Sequence, residues 1–283
     1  MTGFRFPAVL LATTVALALA APPAGGSDSG ASSSRSTAGT PAPATTASAT
    51  AAKTVAGGTA AATVGNASLS TSMLATLVAT APSVDTRALG LALAARDCAV
   101  ASGQASPDAN LTLIDYSRPS TEPRMWVFDL ASQRLLYAEH VAHGRNTGEN
   151  MAQRFSNVEG SYQSSLGLFS TAESYVGSNG YSMRMDGLEP GINDAARARA
   201  IVIHGAPYVD PEQALRQGRL GRSLGCPALR QQVAREVIDT IKDGHLVFAY
   251  YPDEEWLASS QFLDCPAGRL ARAAAEADAP SRG

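Results

Sequence analysis

Lysine is almost absent from this chain of 283 residues, in which Lys53 and Lys242 are the two lysines. The 22 basic residues are therefore nearly all arginines, and 25 acidic residues leave a net charge of −3. A protein that binds nucleic acid normally carries excess positive charge to neutralise phosphates. This charge balance argues against nucleic acid as a partner, and the abundance of arginine means that no single arginine stands out as functional.

The sequence also lacks an apolar run of the roughly 20 residues that a membrane-spanning helix needs. The mostly apolar residues 8–20 follow Arg5 and end in Ala18-Leu19-Ala20, a small-x-small cleavage site. This arrangement is typical of a cleaved secretory signal over residues 1–20. We therefore expect an exported protein, in the periplasm, the cell envelope or outside the cell, without an integral membrane span.

Large apolar side chains are scarce in residues 21–64, which consist mainly of Ala, Ser, Thr, Gly and Pro. Such a segment cannot bury enough apolar surface to offset the entropy lost on ordering, so we predict a disordered tether. Residues 65–105 carry apolar side chains at helical spacing, with Pro82 between two short predicted helices. We expect these helices to cover a domain at 106–262 rather than to form a separate binding module, and we describe 263–283 as a C-terminal tail.

The predicted domain is dominated by short runs of β-forming residues between polar or Pro-containing turns. Asp210 is a strong N-cap followed by proline, and Gly218 ends that helix. Val233, Val237 and Ile241 give a second helix one apolar face. The fold class is therefore mainly β with a few helices, arranged as a sandwich or a partial barrel. The predicted strands are 111–115, 125–130, 135–141, 166–171, 181–185, 200–204 and 245–251.

Cysteine is scarce as well, with residues Cys98, Cys226 and Cys265. In an exported protein an odd number of cysteines leaves at least one thiol unpaired. Cys226 lies on a constrained turn between Gly225 and a proline, whereas the other two lie near the ends of the predicted folded region. We therefore hypothesise a disulfide between Cys98 and Cys265 and a free thiol at Cys226. A buried structural cysteine is the alternative interpretation of Cys226.

The residues with catalytic potential lie in two short segments. A hydrophobic run ends in His204-Gly205, and the second segment is Gly221-Arg222-Ser223-Leu224-Gly225-Cys226. A histidine at a strand end can be the base that a thiol needs to become a nucleophile. Amides near Gly225 and Cys226 are candidates for an oxyanion site. This chemistry requires the His204 imidazole to lie within hydrogen-bonding reach of the Cys226 sulfur in an open groove.

His204-Gly205 followed by Ser223-Leu224-Gly225-Cys226 resembles the His…Ser-x-Gly-Cys signature of bacterial L,D-transpeptidase catalytic domains. Ser165-Leu166-Gly167-Leu168-Phe169 is similar to a strand found upstream in that superfamily. The resemblance covers about residues 85–252 and is closest to murein L,D-transpeptidase-like proteins. It implies a β-rich catalytic domain with the cysteine at the floor of a groove, and no cofactor is expected.

The resemblance implies that Cys226 attacks a diamino acid carbonyl in a peptidoglycan stem tetrapeptide, releases the terminal D-Ala and forms a thioester. His204 would take the thiol proton, and the Gly205 carbonyl would orient the ring. An amine from a second stem would then form a 3-3 crosslink, whereas water would give an L,D-carboxypeptidase. Peptidoglycan stem peptides are thus the expected partner, and the oligomeric state stays open.

Two positions depart from the family pattern. Leu224 stands where a second histidine is usual, and Ala228 stands where asparagine or arginine is usual. Arg222 or Arg230 could supply the missing positive charge, since a guanidinium matches a carboxylate. These departures leave open an alternative, a wall-binding or scaffold protein that kept the fold and lost turnover. The residues assigned to substrate contacts are Arg222, Ser223, Leu224 and His143.

A metal site is not expected. His140 and His143 suggest a pair of ligands, but a three-residue step along a strand directs the two side chains to opposite faces. No other group of cysteines and histidines has the spacing of metal ligands. We therefore interpret His143 as a residue that lines the groove.

Overall fold

The computed structural model describes residues 72–277, so the predicted signal peptide and tether lie outside the described residues. No helix in this range is long and apolar enough to cross a membrane. The helices are α1 (72–80), α2 (Thr86–Ala101), α3 (Pro211–Gln217), α4 (Gln231–Ile241), α5 (Glu254–Ser259) and α6 (Pro266–Ala277). The strands are β1 (Leu111–Asp115), β2 (Met125–Asp129), β3 (Arg134–Glu139), β4 (Val141–Ala142), β5 (Gly167–Gly177), β6 (Gly180–Gly187), β7 (Val202–Ala206), β8 (Ala228–Arg230) and β9 (Leu246–Tyr250).

The nine strands of the described chain form one sheet that nearly closes into a barrel. Their order is β3-β2-β1-β9-β5-β6-β7-β8-β4. Neighbours are antiparallel except for the parallel pairs β1/β9 and β7/β8. The strands at the two ends of this order, β3 and β4, are consecutive in the chain, with His140 alone between them. The chain itself therefore keeps the two edges of the sheet together.

An ion pair also joins the two edges. The guanidinium of Arg230, at the end of β8, donates to the two carboxylate oxygens of Glu139, at the end of β3, over 2.9 and 2.7 Å. Glu139 is buried, which limits the screening of the pair by solvent. The mainly β fold class is thus confirmed, and of the two predicted arrangements the partial barrel is the correct one.

Helices pack on the sheet and cover its core. α2 packs on β1 and β9, all of whose residues are buried, and α4 packs on β6 and β7. Val237 and Ile241 lie on the buried face of α4, as predicted. Asp210 caps α3 by accepting from two amides of its first turn, and Gly218 ends it in the left-handed conformation. The strand and helices that flank the predicted site are therefore held by a packed core.

A disulfide links the helical parts that precede and follow the sheet. Cys98 of α2 and Cys265, which immediately precedes α6, are bonded with their Cα atoms 6.0 Å apart. This confirms the hypothesised pairing and leaves Cys226 as the free cysteine. Residues 266–277, predicted only as part of a tail, form the helix α6, which packs against α2.

Candidate active site

The two predicted catalytic segments lie side by side in the sheet. His204 belongs to β7, and the neighbouring parallel strand β8 begins two residues after Cys226. The register pairs His204 with Ala228, and Cys226 lies two residues before Ala228 in the sequence. Side chains two residues apart in an extended chain point to the same face. The sheet therefore brings the two predicted catalytic residues to neighbouring positions.

The hydroxyl of Ser223 holds the turn that precedes Cys226. Its Oγ donates to the carbonyl oxygen of Cys226 over 2.6 Å and accepts from the amide of Gly225 over 3.0 Å. Gly225 has a φ of +129°, and a Cβ there would lie 2.9 Å from the carbonyl oxygen of Gln163, so the position requires glycine. Two predictions are corrected: the Gly225 amide is committed to Ser223 rather than to an oxyanion, and the Ser223 hydroxyl shapes the turn rather than facing a substrate.

A second serine, to which the sequence analysis gave no role, supports the same turn from behind. The Oγ of Ser164 donates to the carbonyl oxygen of Gly225 over 2.9 Å and accepts from the amide of Gly144 over 3.1 Å. The Ser164 amide in turn donates to Oγ1 of Thr147 over 2.8 Å. The only signal in the sequence was its place directly before the family-like strand, because its partners come from distant segments.

His204 is oriented by the backbone of the next residue, as the resemblance implied. Its Nδ1 lies 3.0 Å from the carbonyl oxygen of Gly205. Because a carbonyl only accepts, Nδ1 carries the proton and Nε2 keeps a lone pair. Burial lowers the pKa of His204, which keeps the ring neutral at pH 7. Gly205 has no room for a side chain, since a Cβ would lie 2.9 Å from that of Ala234 in α4.

The thiol of Cys226 contacts the backbone of Ala200 in this conformation. It donates to the carbonyl oxygen of Ala200, with 3.7 Å between sulfur and oxygen. Among the hydrogen bonds of residues 72–277, none joins the sulfur to the imidazole, so the predicted direct contact is not made. Burial raises the pKa of the Cys226 thiol, while nearby Arg199 acts in the opposite direction. The resting nucleophile is therefore a protonated thiol held on Ala200.

Arg199 and Ala200 are site residues that the sequence analysis missed. Ala200 has a φ of +54°, a left-handed conformation that costs a non-glycine residue about 1–2 kcal/mol. Arginines are too abundant in this chain for Arg199 to attract notice, yet its guanidinium is a positive charge beside the nucleophile. It is fixed at 2.6 to 3.2 Å by four acceptors, which are Ser156 O, Ser161 Oγ, Gln163 O and Ser165 Oγ.

His143 is a buried structural residue, and the prediction that it lines the groove is wrong. Its side chain is 1% exposed. Nδ1 accepts from Arg124 over 2.7 Å, and Nε2 donates to the carbonyl oxygen of Gly148 over 3.2 Å, because an arginine can only donate. Burial, reinforced by the charge of Arg124, lowers the pKa of His143 to about 3. Its contribution to the site is its carbonyl oxygen, which accepts from the Ser223 amide over 3.0 Å.

Arg222 and Arg230, which were considered as replacements for the positive charge of the family motif, are both engaged in ion pairs. Arg222 donates to Glu149 over 2.7 Å and to two backbone carbonyls over 3.0 and 3.1 Å, so its assignment to substrate binding is corrected. Arg230 is committed to Glu139. Leu224, in contrast, is 59% exposed beside the nucleophile, which leaves its side chain accessible to a bound molecule.

The histidines near the site do not form a metal centre. His140 contacts the carbonyl oxygen of Thr121 at 3.2 Å, whereas His143 is bonded to other groups. In residues 72–277 there is no cluster of three or more His, Cys, Asp or Glu side chains that could hold a metal ion.

Comparison with known proteins gives one family and a set of distant structures. The sequence profile of the L,D-transpeptidase catalytic domain matches residues 80–250 of the 283. No curated protein sequence matches the chain. Similar solved structures include L,D-transpeptidases from Mycobacterium smegmatis (13% identity, TM-score 0.32, 50% of this chain and 59% of that chain), Stackebrandtia nassauensis (12%, 0.31, 58% and 68%) and Mycobacterium tuberculosis H37Rv (16%, 0.30, 50% and 58%).

The match to the M. smegmatis protein spans less than two thirds of that protein. The family profile, however, covers more than half of this chain and runs from the end of α1 to the end of β9. That range contains His204, the turn at Ser223 and Cys226. The chain therefore belongs to the L,D-transpeptidase catalytic domain family.

Proposed function

We propose that the protein is an exported L,D-transpeptidase that acts on peptidoglycan stem peptides through a thioester on Cys226. Family membership supports the class of reaction. The observation that carries the proposal is the position of the one free thiol, two residues before β8, next to a neutral histidine on the parallel strand β7 whose Nε2 keeps its lone pair. A thiol beside a fixed base is the arrangement that nucleophilic catalysis requires. The export signal predicted over residues 1–20 would deliver the enzyme to its substrate.

The first step is a rotation of the Cys226 side chain away from Ala200. The thiol leaves its 3.7 Å contact with the Ala200 carbonyl oxygen, and its sulfur moves toward Nε2 of His204. Burial raises the pKa of the thiol and lowers the pKa of His204, so both groups are neutral before substrate binds. The imidazole then takes the thiol proton as the sulfur attacks.

The sulfur forms a bond with the carbonyl carbon that precedes the terminal D-residue. The amide of Cys226 is the candidate donor to the resulting oxyanion, because the Gly225 amide is used within the turn. When the intermediate collapses, the C–N bond breaks and the imidazolium returns its proton to the leaving amine. A D-amino acid departs and a thioester remains. An amine of a second stem then attacks the thioester and gives a proton to His204, the C–S bond breaks, the sulfur is protonated again and the 3-3 crosslink is formed, whereas attack by water gives the L,D-carboxypeptidase product.

A wall-binding protein without turnover is the second candidate function. Two observations favour it: the sulfur is bonded to Ala200 rather than to His204, and Leu224 replaces a polar residue of the family motif. The fold would then present the groove for binding alone.

The decisive experiment is incubation with purified tetrapeptide muropeptides, with wild type and Cys226→Ala compared by mass spectrometry. We expect D-Ala release and crosslinked products from wild type, and a loss of about a thousandfold or more in the variant, because the nucleophile is removed. A carbapenem adduct located on Cys226 would support the same assignment. Binding of muropeptides without D-Ala release by either protein would contradict the proposal and favour the wall-binding protein.

A further inference from the structure

Arg145 is an exposed arginine beside the catalytic turn that carries an uncompensated charge. Its guanidinium stacks on the ring of Tyr162, 4.1 Å from the ring centroid. Within residues 72–277 its guanidinium takes part in no ion pair and no side-chain hydrogen bond. The neighbouring arginines Arg222 and Arg219 share Glu149 instead. Arg199, the other positive charge beside the nucleophile, is bonded to four acceptors at 2.6 to 3.2 Å, whereas the Arg145 guanidinium is exposed and open to a ligand.

Two other arginines stack on tyrosines at the surface, and each has a carboxylate beside it. Arg184 lies 4.5 Å from the ring centroid of its tyrosine and pairs with Glu173 over 3.1 Å. Arg235 lies 4.0 Å from the ring of Tyr181 and interacts electrostatically with Asp239. The stack of Arg145 on Tyr162 has a similar distance, 4.1 Å, but among the described residues no carboxylate beside it. Such an arrangement is completed by a carboxylate from a bound molecule.

The backbone places Arg145 directly against the catalytic turn. Gly144 forms a parallel bridge with Ser223, and the Arg145 amide donates to the carbonyl oxygen of Ser223 over 2.8 Å. A Cβ on Gly144 would lie 2.9 Å from Cα of Gly225, so the segment that carries Arg145 is in contact with the catalytic turn. Ligand groups held by Arg145 would therefore lie close to those attacked by Cys226.

Tyr162 is held in a strained conformation that keeps its ring available to Arg145. Its φ is +55°, which is uncommon for a bulky residue. Its carbonyl oxygen accepts from the Asn146 amide over 3.1 Å, and the Asn146 side chain donates to Ser161 over 2.8 Å. Strain that persists beside a nucleophile indicates a functional constraint on the segment. Here the constraint holds an aromatic platform under a guanidinium.

We propose that Arg145, presented on the ring of Tyr162, binds the terminal carboxylate of the acyl-donor peptide. The inference rests on the proposed function, because in a stem tetrapeptide this carboxylate belongs to the D-residue that leaves. It lies one residue beyond the carbonyl that Cys226 attacks. Arg145 thereby takes the role for which Arg222 and Arg230 were considered, and it selects peptides that end in a free acid.

The test compares two synthetic tetrapeptide stems, one with a free terminal carboxylate and one with a terminal amide. Arg145→Gln should lower kcat/KM for the acid by about ten- to a hundredfold, mainly through KM, because a charge-assisted hydrogen bond is lost. The amide should change by less than about twofold, since it makes no such bond. Arg145→Lys should restore part of the loss. Arg235→Gln removes a matched stack, that of α4 on Tyr181, and should change neither peptide. An equal loss on acid and amide would overturn the inference.

A binding measurement separates this inference from the proposed function. Fluorescence polarisation with N-terminally labelled acid and amide peptides uses Cys226→Ala, alone and combined with Arg145→Gln. Tighter binding of the acid by Cys226→Ala, lost in the double variant, supports the carboxylate site even if wild type turns over neither peptide. Turnover by wild type together with equal affinity for acid and amide would reject the site while leaving the transpeptidase intact. Binding of neither peptide, with no turnover, would reject both.

Discussion

His143 and His204 are both buried, with 1% and 4% of their surface exposed, and burial lowers the pKa of both. They differ in what their ring nitrogens contact. Both nitrogens of His143 are bonded, to Arg124 and Gly148, whereas within residues 72–277 the His204 ring is bonded through Nδ1 alone, to Gly205. Burial and a lowered pKa therefore do not distinguish a structural histidine from a catalytic base. The two are distinguished by the lone pair that Nε2 of His204 keeps free for a proton.

The environment of His143 explains why it cannot be spared. Arg124 is fully buried, and its guanidinium donates to the carbonyl oxygens of Val141 and Arg118 over 2.8 to 3.0 Å, and to His143. Burial lowers the pKa of Arg124 to about 10, so the group remains charged at pH 7. His143 is therefore one of three residues of the described chain that accept hydrogen bonds from this buried guanidinium. His143 thus accepts a hydrogen bond from a buried charged arginine, whereas His204 keeps a nitrogen free for the thiol proton.

The largest expected effect is on catalysis at His204. His204→Gln should lower the rate of D-Ala release by about a hundred- to ten-thousandfold, because the general base is removed. The free energy of unfolding should change by no more than about 1 kcal/mol, since a single hydrogen bond to Gly205 is lost. Initial rates and denaturant unfolding of the same preparation measure both. A rate within tenfold of wild type would show that His204 is not the base.

The next effect is on stability at His143. His143→Ala should lower the free energy of unfolding by about 2–4 kcal/mol, because it leaves Arg124 and the Gly148 carbonyl short of a partner in the interior. Chemical denaturation with the disulfide intact measures it. His140→Ala is the matched control, since among the described residues this half-buried ring makes one hydrogen bond, to the Thr121 carbonyl, and it should cost less than about 1 kcal/mol. Equal losses at the two positions would contradict the comparison.

The smallest expected effect, counted per pH unit, is the pH dependence of stability. The pKa of His143 is about 3 in the folded protein against an ordinary value of 6.5, so between these values the unfolded chain binds the proton and the folded chain does not. The contribution of His143 is therefore fully present above pH 6.5 and is lost as the pH falls toward 3, at up to about 1.4 kcal/mol per pH unit.

His143→Asn provides the reference for this measurement, because asparagine offers an acceptor and a donor but does not titrate. The difference in unfolding free energy between wild type and His143→Asn should narrow steadily below pH 6.5. Denaturant unfolding at a series of pH values records it. A constant difference across that range would mean that the ring is already protonated, or exposed, in the folded protein.

Much of the fold was predictable because its signals are local. The strand at 111–115 coincides with β1, and Asp210 and Gly218 mark the ends of α3 as predicted. β4 and β8 were missed because two or three residues are too few for an alternating pattern, and they become strands only by pairing with each other and with β7. These two short strands flank the catalytic turn.

The sequence predicted the reactive residues of the site, but not the residues that hold them in place. Cys226 and His204 were found because an odd cysteine and a histidine before glycine can be recognised from the sequence alone. Ser164 and Arg199 were missed because their partners are supplied by segments far away in the chain. His143 was misassigned for the same reason, since nothing local shows that both of its nitrogens are bonded.

The sequence by itself determined the mainly β class, the helix ends and the chemical types at the site, because propensity and capping act over a few residues. Only the tertiary structure decided which histidine keeps a lone pair, which arginine beside the catalytic turn stays exposed without an ion pair, and which group the thiol contacts. Each of those depends on burial and on hydrogen-bond partners from separate strands, and these come together only when the sheet closes.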